Sequence, residues 1–336
     1  MGKQVALFVQ ESNRKKSDAK VDIGEKDIPK PGPGEVLVRI NLRPVNPSDA
    51  YMVNLTYPGF KPQTFPAVPG GEAVGKVVEN GPSASRFPIG TRVVAVPWNT
   101  YDGDGSWQQY TAVPEDVLIP VPDNVSDESA SQFLINPVTA YGFLETLKVP
   151  EGEYLLQTAA GSAIGRQLIV MAKLRGVKTI NLVRRKEQAQ ELLDIGADEV
   201  IVTSNEDVVA RVKEITGRRM AYAAVDCVAG EMTGTVVAST RDHGTVYVYG
   251  LLSGPTSTVG AGNLIFRNVH VTGFWMVTWL EQLGDAKAEK LGEVMDLFAR
   301  GIIVPTSGKK FPLEQANEAI AESWKVAKEG KVFLEG

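Results

Sequence analysis

The stretch Glu153–Lys186, EYLLQTAAGSAIGRQLIVMAKLRGVKTINLVRRK, decides the fold. Leu155–Leu156 is a short apolar run, as a strand buried on both faces requires. Ala159-Ala160-Gly161-Ser162-Ala163-Ile164-Gly165 then turns the chain. Residues this small serve either of two ends: backbone N–H groups can approach a pyrophosphate, or a helix can pack closely on its strand. The spacing predicts a helix over Arg166–Arg175, ended by Gly176, and a second strand over Thr179–Val183. Strand, helix and strand close a right-handed βαβ unit.

Arg184-Arg185-Lys186 stands at the end of the second strand, about twenty residues after the turn, where folds of this kind that bind NAD carry an acid on the ribose. Three cations there suit a 2′-phosphate, which arginine can bind bidentately. The plainer reading is a solvated basic helix start, yet helix N-termini favour acids over bases. The run therefore points to NADPH rather than NADH.

From Glu153 onward, β and α segments alternate. Further strands are expected at Glu199–Val202, Ala223–Cys227, Thr245–Tyr249 and Val269–Gly273, making six with the first two. Helices are expected over Lys186–Ile195, stopped by Gly196, and Asp207–Thr216, stopped by Gly217. Such a chain folds as a doubly wound parallel sheet. A long amphipathic helix within Leu280–Arg300, a helix over Leu313–Lys328 and a strand at Lys331–Leu334 follow, the strand returning to the first domain.

Ahead of this region the chain reads as short strands between Pro/Gly turns. Glu35–Leu42, Val74–Val78 and Arg92–Val96 alternate. Asn46-Pro47-Ser48-Asp49 starts a short helix, with Pro47 suited to its first turn. Asp123–Ser131 opens another, and Asn136 suits the cap of a third. Many short strands with little helix suggest a compact β-rich domain.

Composition narrows the function. A net charge of −5 argues against nucleic acid or an anionic membrane surface as the main partner. No apolar run is long enough to span a bilayer. Met1–Gln10 is too short and polar-flanked for a signal peptide. A single cysteine, Cys227, permits no intrachain disulfide and reads as a small core residue. A cytoplasmic location is expected, or the mitochondrial matrix for a processed form.

Five motifs in this order resemble the medium-chain dehydrogenase/reductase superfamily over nearly the whole chain: Val45-Asn46-Pro47-Ser48-Asp49, Pro69-Gly70-Gly71-Glu72-Ala73-Val74-Gly75, Asn136-Pro137-Val138-Thr139-Ala140, Ala160–Gly165 and Gly330-Lys331-Val332-Phe333-Leu334. The resemblance implies an α/β protein of two parts. A GroES-like β-rich catalytic domain would take residues 1–124 and 276–336. A doubly wound Rossmann domain with a six-stranded parallel sheet would take 125–275. Zinc-dependent members carry cysteine where this chain has Asn46 and histidine where it has Gly71. With one Cys and two His, His243 and His270, scattered along the sequence, no metal site is expected.

Within the zinc-free branch the likeness is to quinone oxidoreductases and mitochondrial-type 2-enoyl thioester reductases. It rests on Tyr57-Pro58-Gly59 ahead of Phe65-Pro66-Ala67-Val68, on the Asn136 turn and on Phe274-Trp275-Met276. It implies Tyr57 as the catalytic residue, with Asn46 beside it, although Tyr57 on bare sequence reads as a loop aromatic. Cofactor contacts are implied at Asn136 and Thr139, at Gly161, Ser162, Ala163 and Ile164, and at Arg184, Arg185 and Lys186. Tyr249, Gly250, Leu251, Leu252, Phe274, Trp275 and Met276 would flank the nicotinamide, and Lys331 would lie near the cofactor. Pro69-Gly70-Gly71-Glu72-Ala73 departs from the Gly-Gly-Asn-Glu-Gly of many relatives. Asp226, ending a buried strand, could be read as the ribose acid, but it belongs to the fourth strand and is ranked as a loop residue.

The expected chemistry is hydride transfer to an activated C=C of a small-molecule enoyl thioester or enone. A quinone is the alternative acceptor, and a non-catalytic NADPH-binding protein is the alternative of another class. The resemblance also implies homodimers, since relatives pair across a dimer at the edge strand that Val269–Gly273 matches.

Overall fold

A computed structural model describes residues 2–16, 18–98, 103–325 and 330–336. The chain parts into one unit of Met1–Ile135 with Met295–Gly336 and a second of Asn136–Val294. The first begins with two antiparallel strands, β1 (Lys3–Phe8) and β2 (Asp22–Asp27). The alternation at Glu35 runs on to Pro44 as β3 (Glu35–Pro44). Then come α1 (Pro47–Val53), β4 (Val74–Asn80), β5 (Arg92–Ala95), β6 (Tyr110–Pro114), β7 (Leu118–Pro120) and α2 (Asp127–Ala130). α1 starts where its proline and the extended Asn46 before it direct.

α3 (Ile135–Leu147) leads into the second unit. There the alternating segments are β8 (Tyr154–Gln157), α4 (Ala163–Leu174), β9 (Lys178–Val183), α5 (Glu187–Asp194), β10 (Glu199–Val202), α6 (Val208–Ile215), β11 (Ala221–Asp226), α7 (Glu231–Ala238) and β12 (Thr240–Val248). α8 (Ala261–Ile265), β13 (His270–Gly273) and α9 (Met276–Gln282) follow, and α10 (Lys287–Ala299) runs from this unit into the first. The six strands form one parallel sheet in the order β10-β9-β8-β11-β12-β13, the doubly wound arrangement expected. Leu156, Ile180, Ile201, Ala224 and Val246, one from each of five strands, bury their side chains in its core.

The chain returns to the first unit through β14 (Ser307–Pro312), α11 (Ala316–Ser323) and β15 (Lys331–Glu335). The larger sheet there runs β14-β15-β3-β4-β5-β7, with β6 also paired to β3. β15 lies antiparallel to β3, with Phe333 opposite Pro44. The C-terminal strand thus re-enters the N-terminal sheet, as the sequence suggested.

Several boundaries differ from expectation. α4 starts at Ala163 rather than Arg166, because the Ser162 hydroxyl accepts the Gly165 N–H at 3.2 Å and caps the helix there. α3 starts at Ile135, so Asn136 lies inside the first turn and is not its cap. The expected helix within Leu280–Arg300 is α10, and a separate helix not expected from the sequence, α9, precedes it across Gly284, whose φ is 52°. Leu313–Gln315 is a 3-10 turn ahead of α11, and residues 326–328 of the expected helix lie outside the described residues. β12 ends at Val248, leaving Tyr249 just beyond the strand.

The units change over at Ile135/Asn136 and Val294/Met295, not at 124/125 and 275/276. α2 stays with the first unit because Asp127 accepts from Asn41 of β3 and Arg92 of β5. α9 stays with the second because Trp279 packs near the Tyr141 and Phe274 rings.

Candidate active site

The turn after β8 carries several of the second unit's predicted site residues. Gly161 and Gly165 are small for different reasons. A Cβ on Gly165 would stand 2.5 Å from the Ala160 carbonyl oxygen, so α4 packs as closely as its backbone allows. A Cβ on Gly161 would first meet the movable side-chain amide of Gln188. Close helix–strand packing therefore accounts for Gly165, whereas the neighbour of Gly161 is a movable side chain. The backbone N–H groups of Ala163 and Ile164, in the first turn of α4, meet no acceptor among the described residues. Arg166 braces the turn, donating to the Gly161 carbonyl at 3.3 Å and pairing with Glu191 of α5.

Arg184, Arg185 and Lys186 follow β9 directly and enter no ion pair among the described residues. Cations of this kind can pair with an anion, and the two unpaired N–H groups of α4 are directed donors. Asn136 adds a buried Nδ2 that has no acceptor among the described residues. Thr139 is buried on the same helix, α3. Phe274 joins an aromatic cluster, its ring centroid 4.8 Å from Phe143 and 5.4 Å from Tyr247. The Tyr249 ring lies tilted to Phe143 with centroids 4.8 Å apart, and its hydroxyl faces the Cys227 thiol. Burial holds that hydroxyl well above the usual tyrosine range. Gly250 follows it, Leu251 and Leu252 are exposed, Trp275 is exposed, and Met276 begins α9.

Cys227 is buried, as expected of a core residue. Asp226 is not a loop residue. It ends β11 fully buried, and its carboxylate accepts from Thr158 Oγ1 (2.8 Å), Thr233 Oγ1 (2.7 Å), Val228 N–H (2.9 Å) and Ala229 N–H (3.3 Å). An acid closing an apolar strand, AAVD, was the signal for it.

The first unit holds a second constellation. Val45 N–H bonds to the Val332 carbonyl at 2.9 Å, and this brings β15 against the entry to α1. Lys331 Nζ then donates to Asn46 Oδ1 at 2.6 Å, and Asn46 Nδ2 donates to Glu72 Oε2 at 3.0 Å. The other Glu72 oxygen accepts the N–H groups of Leu134 (2.7 Å) and Ile135 (2.8 Å), where α3 begins. Asp49 accepts the Asn46 N–H at 2.7 Å and, more weakly, that of Gly71 at 3.4 Å. All four side chains are at least nine-tenths buried. Asn46 and Lys331 are thus brought together, with Glu72 and Asp49 as members that composition and spacing did not single out. Tyr57 sits in the loop after α1, and its ring packs on the core that includes Val53, Phe60 and Trp107. It is not an exposed loop aromatic.

Two buried carboxylates share one ammonium. Burial pushes Asp49 up to about 7, and the negative charge of Glu72 adds to the rise. Burial also raises Glu72, against the pull of the Ile135 N–H and the Lys331 ammonium. An acid whose pKa is higher folded than unfolded stabilises the fold at low pH. That contribution is lost as pH climbs from the unfolded value of 3.8 to the folded value near 7. Asp49→Asn keeps one carbonyl for the Asn46 N–H and removes the titration. The fall in unfolding free energy between pH 5 and pH 8 should therefore be smaller in the variant, by about 3 kcal/mol for Asp49 taken alone. Parallel pH–stability curves for the two proteins would contradict a raised Asp49.

Among the described residues no group of three or more His, Cys, Asp or Glu side chains could hold a metal ion. No helix among them is long and apolar enough to cross a membrane.

Residues 32–123 match the family described as alcohol dehydrogenase GroES-like domain, and residues 163–299 match zinc-binding dehydrogenase. The mitochondrial enoyl-[acyl-carrier-protein] reductase of Xenopus tropicalis is 34% identical over 88% of this chain and 86% of its own length. Its Caenorhabditis elegans counterpart is 34% identical over 75% and 72%. A Bacillus thuringiensis structure, solved under the provisional name NADPH:quinone reductase, superposes with a TM-score of 0.91 at 29% identity over all of both chains. A mycobacterial protein solved in complex with NADPH gives a TM-score of 0.85 at 26% identity, over 99% of this chain and all of its own.

Proposed function

Because the chain belongs to the medium-chain dehydrogenase/reductase superfamily, we propose that it reduces the activated C=C of a 2-enoyl thioester, without zinc. It is an NADPH-dependent oxidoreductase. The observation that carries the reading is the set of three cations, Arg184, Arg185 and Lys186, unpaired among the described residues, that follow β9 in the unit of the Gly161 turn. The residues fit the cofactor. The Ala163 and Ile164 N–H groups suit the pyrophosphate, the cations suit the 2′-phosphate, and the unpartnered Asn136 amide suits a carboxamide. The likeness to enoyl reductases supports the acceptor.

NADPH supplies the hydride when bound. The chain must then steady charge on the conjugated carbonyl oxygen and give the α-carbon a proton. Asn46 Nδ2 keeps one N–H beyond the one Glu72 accepts, and that is a donor of the kind the oxygen needs. Tyr57 provides the proton, directly or through water. Lys331 holds the cofactor.

A quinone is the second reading, favoured by the Bacillus thuringiensis likeness over the whole chain. The protein pairs with a second copy along β13. Support comes from that strand's place at the sheet edge and from the exposure of Leu264, Ile265 and Phe266 ahead of it. A soluble location, cytoplasmic or in the mitochondrial matrix, suits such an enzyme. One preparation tests the reading. NADPH oxidation is followed with a short and a long 2-enoyl-CoA, a simple enone and a quinone, and sedimentation gives the mass. Turnover of the thioesters well above that of the quinone is expected, at the mass of two chains. Quinone turnover alone would move the protein to the second reading, and the mass of one chain would remove the pairing.

A further inference from the structure

We propose that Glu72 is a positioning residue for the cofactor: its carboxylate sets the direction of the Asn46 amide and so holds the Lys331 ammonium in place. The inference rests on the reading that Lys331 serves NADPH.

An ammonium can only donate, and an ionised carboxylate can only accept. Asn46 stands between one of each, with Oδ1 at 2.6 Å from Lys331 Nζ and Nδ2 at 3.0 Å from Glu72 Oε2. Only one direction of the amide satisfies both neighbours. The opposite direction would set an NH2 against an ammonium and a carbonyl against a carboxylate. Glu72 cannot turn to relieve such a clash, because its other oxygen is fixed by the Leu134 and Ile135 N–H groups at 2.7 and 2.8 Å. The Asn46 backbone cannot move either, since Asp49 accepts its N–H at 2.7 Å. Glu72 is 2% exposed and Asn46 2% exposed, so water offers neither a substitute partner. The ammonium of Lys331, at the start of β15, is therefore aimed by a carboxylate that it does not itself touch in this hydrogen-bond chain.

A charge swap tests this. In Glu72→Gln the new carbonyl stays on the Leu134 and Ile135 N–H groups, so the new NH2 faces Asn46. Asn46 must then turn its carbonyl to that NH2 and present its own NH2 to Lys331. In Asn46→Asp with Glu72→Gln, the new carboxylate accepts both from that NH2 and from Lys331, at unchanged net charge. Glu72→Gln should raise the NADPH dissociation constant roughly tenfold or more, and the double variant should return it to within about threefold of the parent. Turnover should stay low in the double variant, because Asp offers no N–H to the acceptor. Crystal structures should show the Lys331 Nζ contact to residue 46 lost in the single variant and regained in the double. Unchanged NADPH affinity in a Glu72→Gln protein that keeps the contact overturns the proposal. So does a double variant that recovers melting temperature but neither the contact nor the affinity. Lys331→Met separates the underlying reading. If it leaves NADPH affinity intact, Lys331 does not serve the cofactor, and the crystal structures alone then decide whether Glu72 aims it.

Discussion

Arg184→Ala combined with Arg185→Ala is expected to weaken NADPH on the order of 100-fold while changing NADH by less than about threefold. Neither arginine is committed to a carboxylate among the described residues, so a phosphate dianion displaces no existing ion pair when it arrives. Arg166, by contrast, is already paired with Glu191 and with the Gly161 carbonyl, and braces the turn instead. A charge-assisted hydrogen bond contributes about 1.5–3 kcal/mol, and exposure and salt reduce that. Two such losses still leave close to 3 kcal/mol, which is about 100-fold. Lys186 remains in the double variant and keeps some of the preference. Because Arg184 is exposed and Arg185 only half-buried, the fold should not suffer, and the melting temperature serves as the control. Titration of both cofactors at one ionic strength reads the result. Equal loss for NADPH and NADH would mean that the run does not meet the 2′-phosphate.

The second unit was legible because its signals are local. The apolar strands, the Gly stops at 176, 196 and 217 and the β–α alternation all act within a few residues, and the sheet order follows from right-handed crossovers. Helix starts were less legible. α4 begins three residues early because a serine hydroxyl meets the Gly165 N–H, and Asn136 misled because α3 already starts at Ile135, one residue before it. The first unit's polar cluster was half visible. Asn46 and Lys331 lie 285 positions apart, and only the strand return at β15 joins them. Glu72 stood in plain view in Pro69-Gly70-Gly71-Glu72-Ala73, but nothing in composition or period distinguishes a buried acid bonded to helix N–H groups from a solvated one. Gln188 was missed for the same reason, since contact with Gly161 depends on where α5 starts.

Tyr57→Phe should lower 2-enoyl thioester reduction by roughly 10²- to 10⁴-fold and quinone reduction by no more than about threefold. The substitution removes one oxygen and leaves the ring, which packs on the core with Val53, Phe60 and Trp107, so the loop after α1 keeps its anchor. The difference between acceptors follows from where the proton goes. Hydride addition to an enoyl thioester leaves a carbon that must be protonated, a slow event unless a donor is held against it. Hydride addition to a quinone leaves an oxygen, which water protonates readily. A hydroxyl donor therefore matters to the first reaction and little to the second. The NADPH dissociation constant should not move in either case, because a proton donor to the acceptor contributes nothing to cofactor binding. A solvent isotope effect on thioester reduction should appear or grow in the variant, as protonation becomes the slow step. If thioester and quinone rates fall together, Tyr57 is acting through the loop that it anchors. If neither falls, the donor lies elsewhere, and the Asn46–Lys331 cluster becomes the first place to look for it.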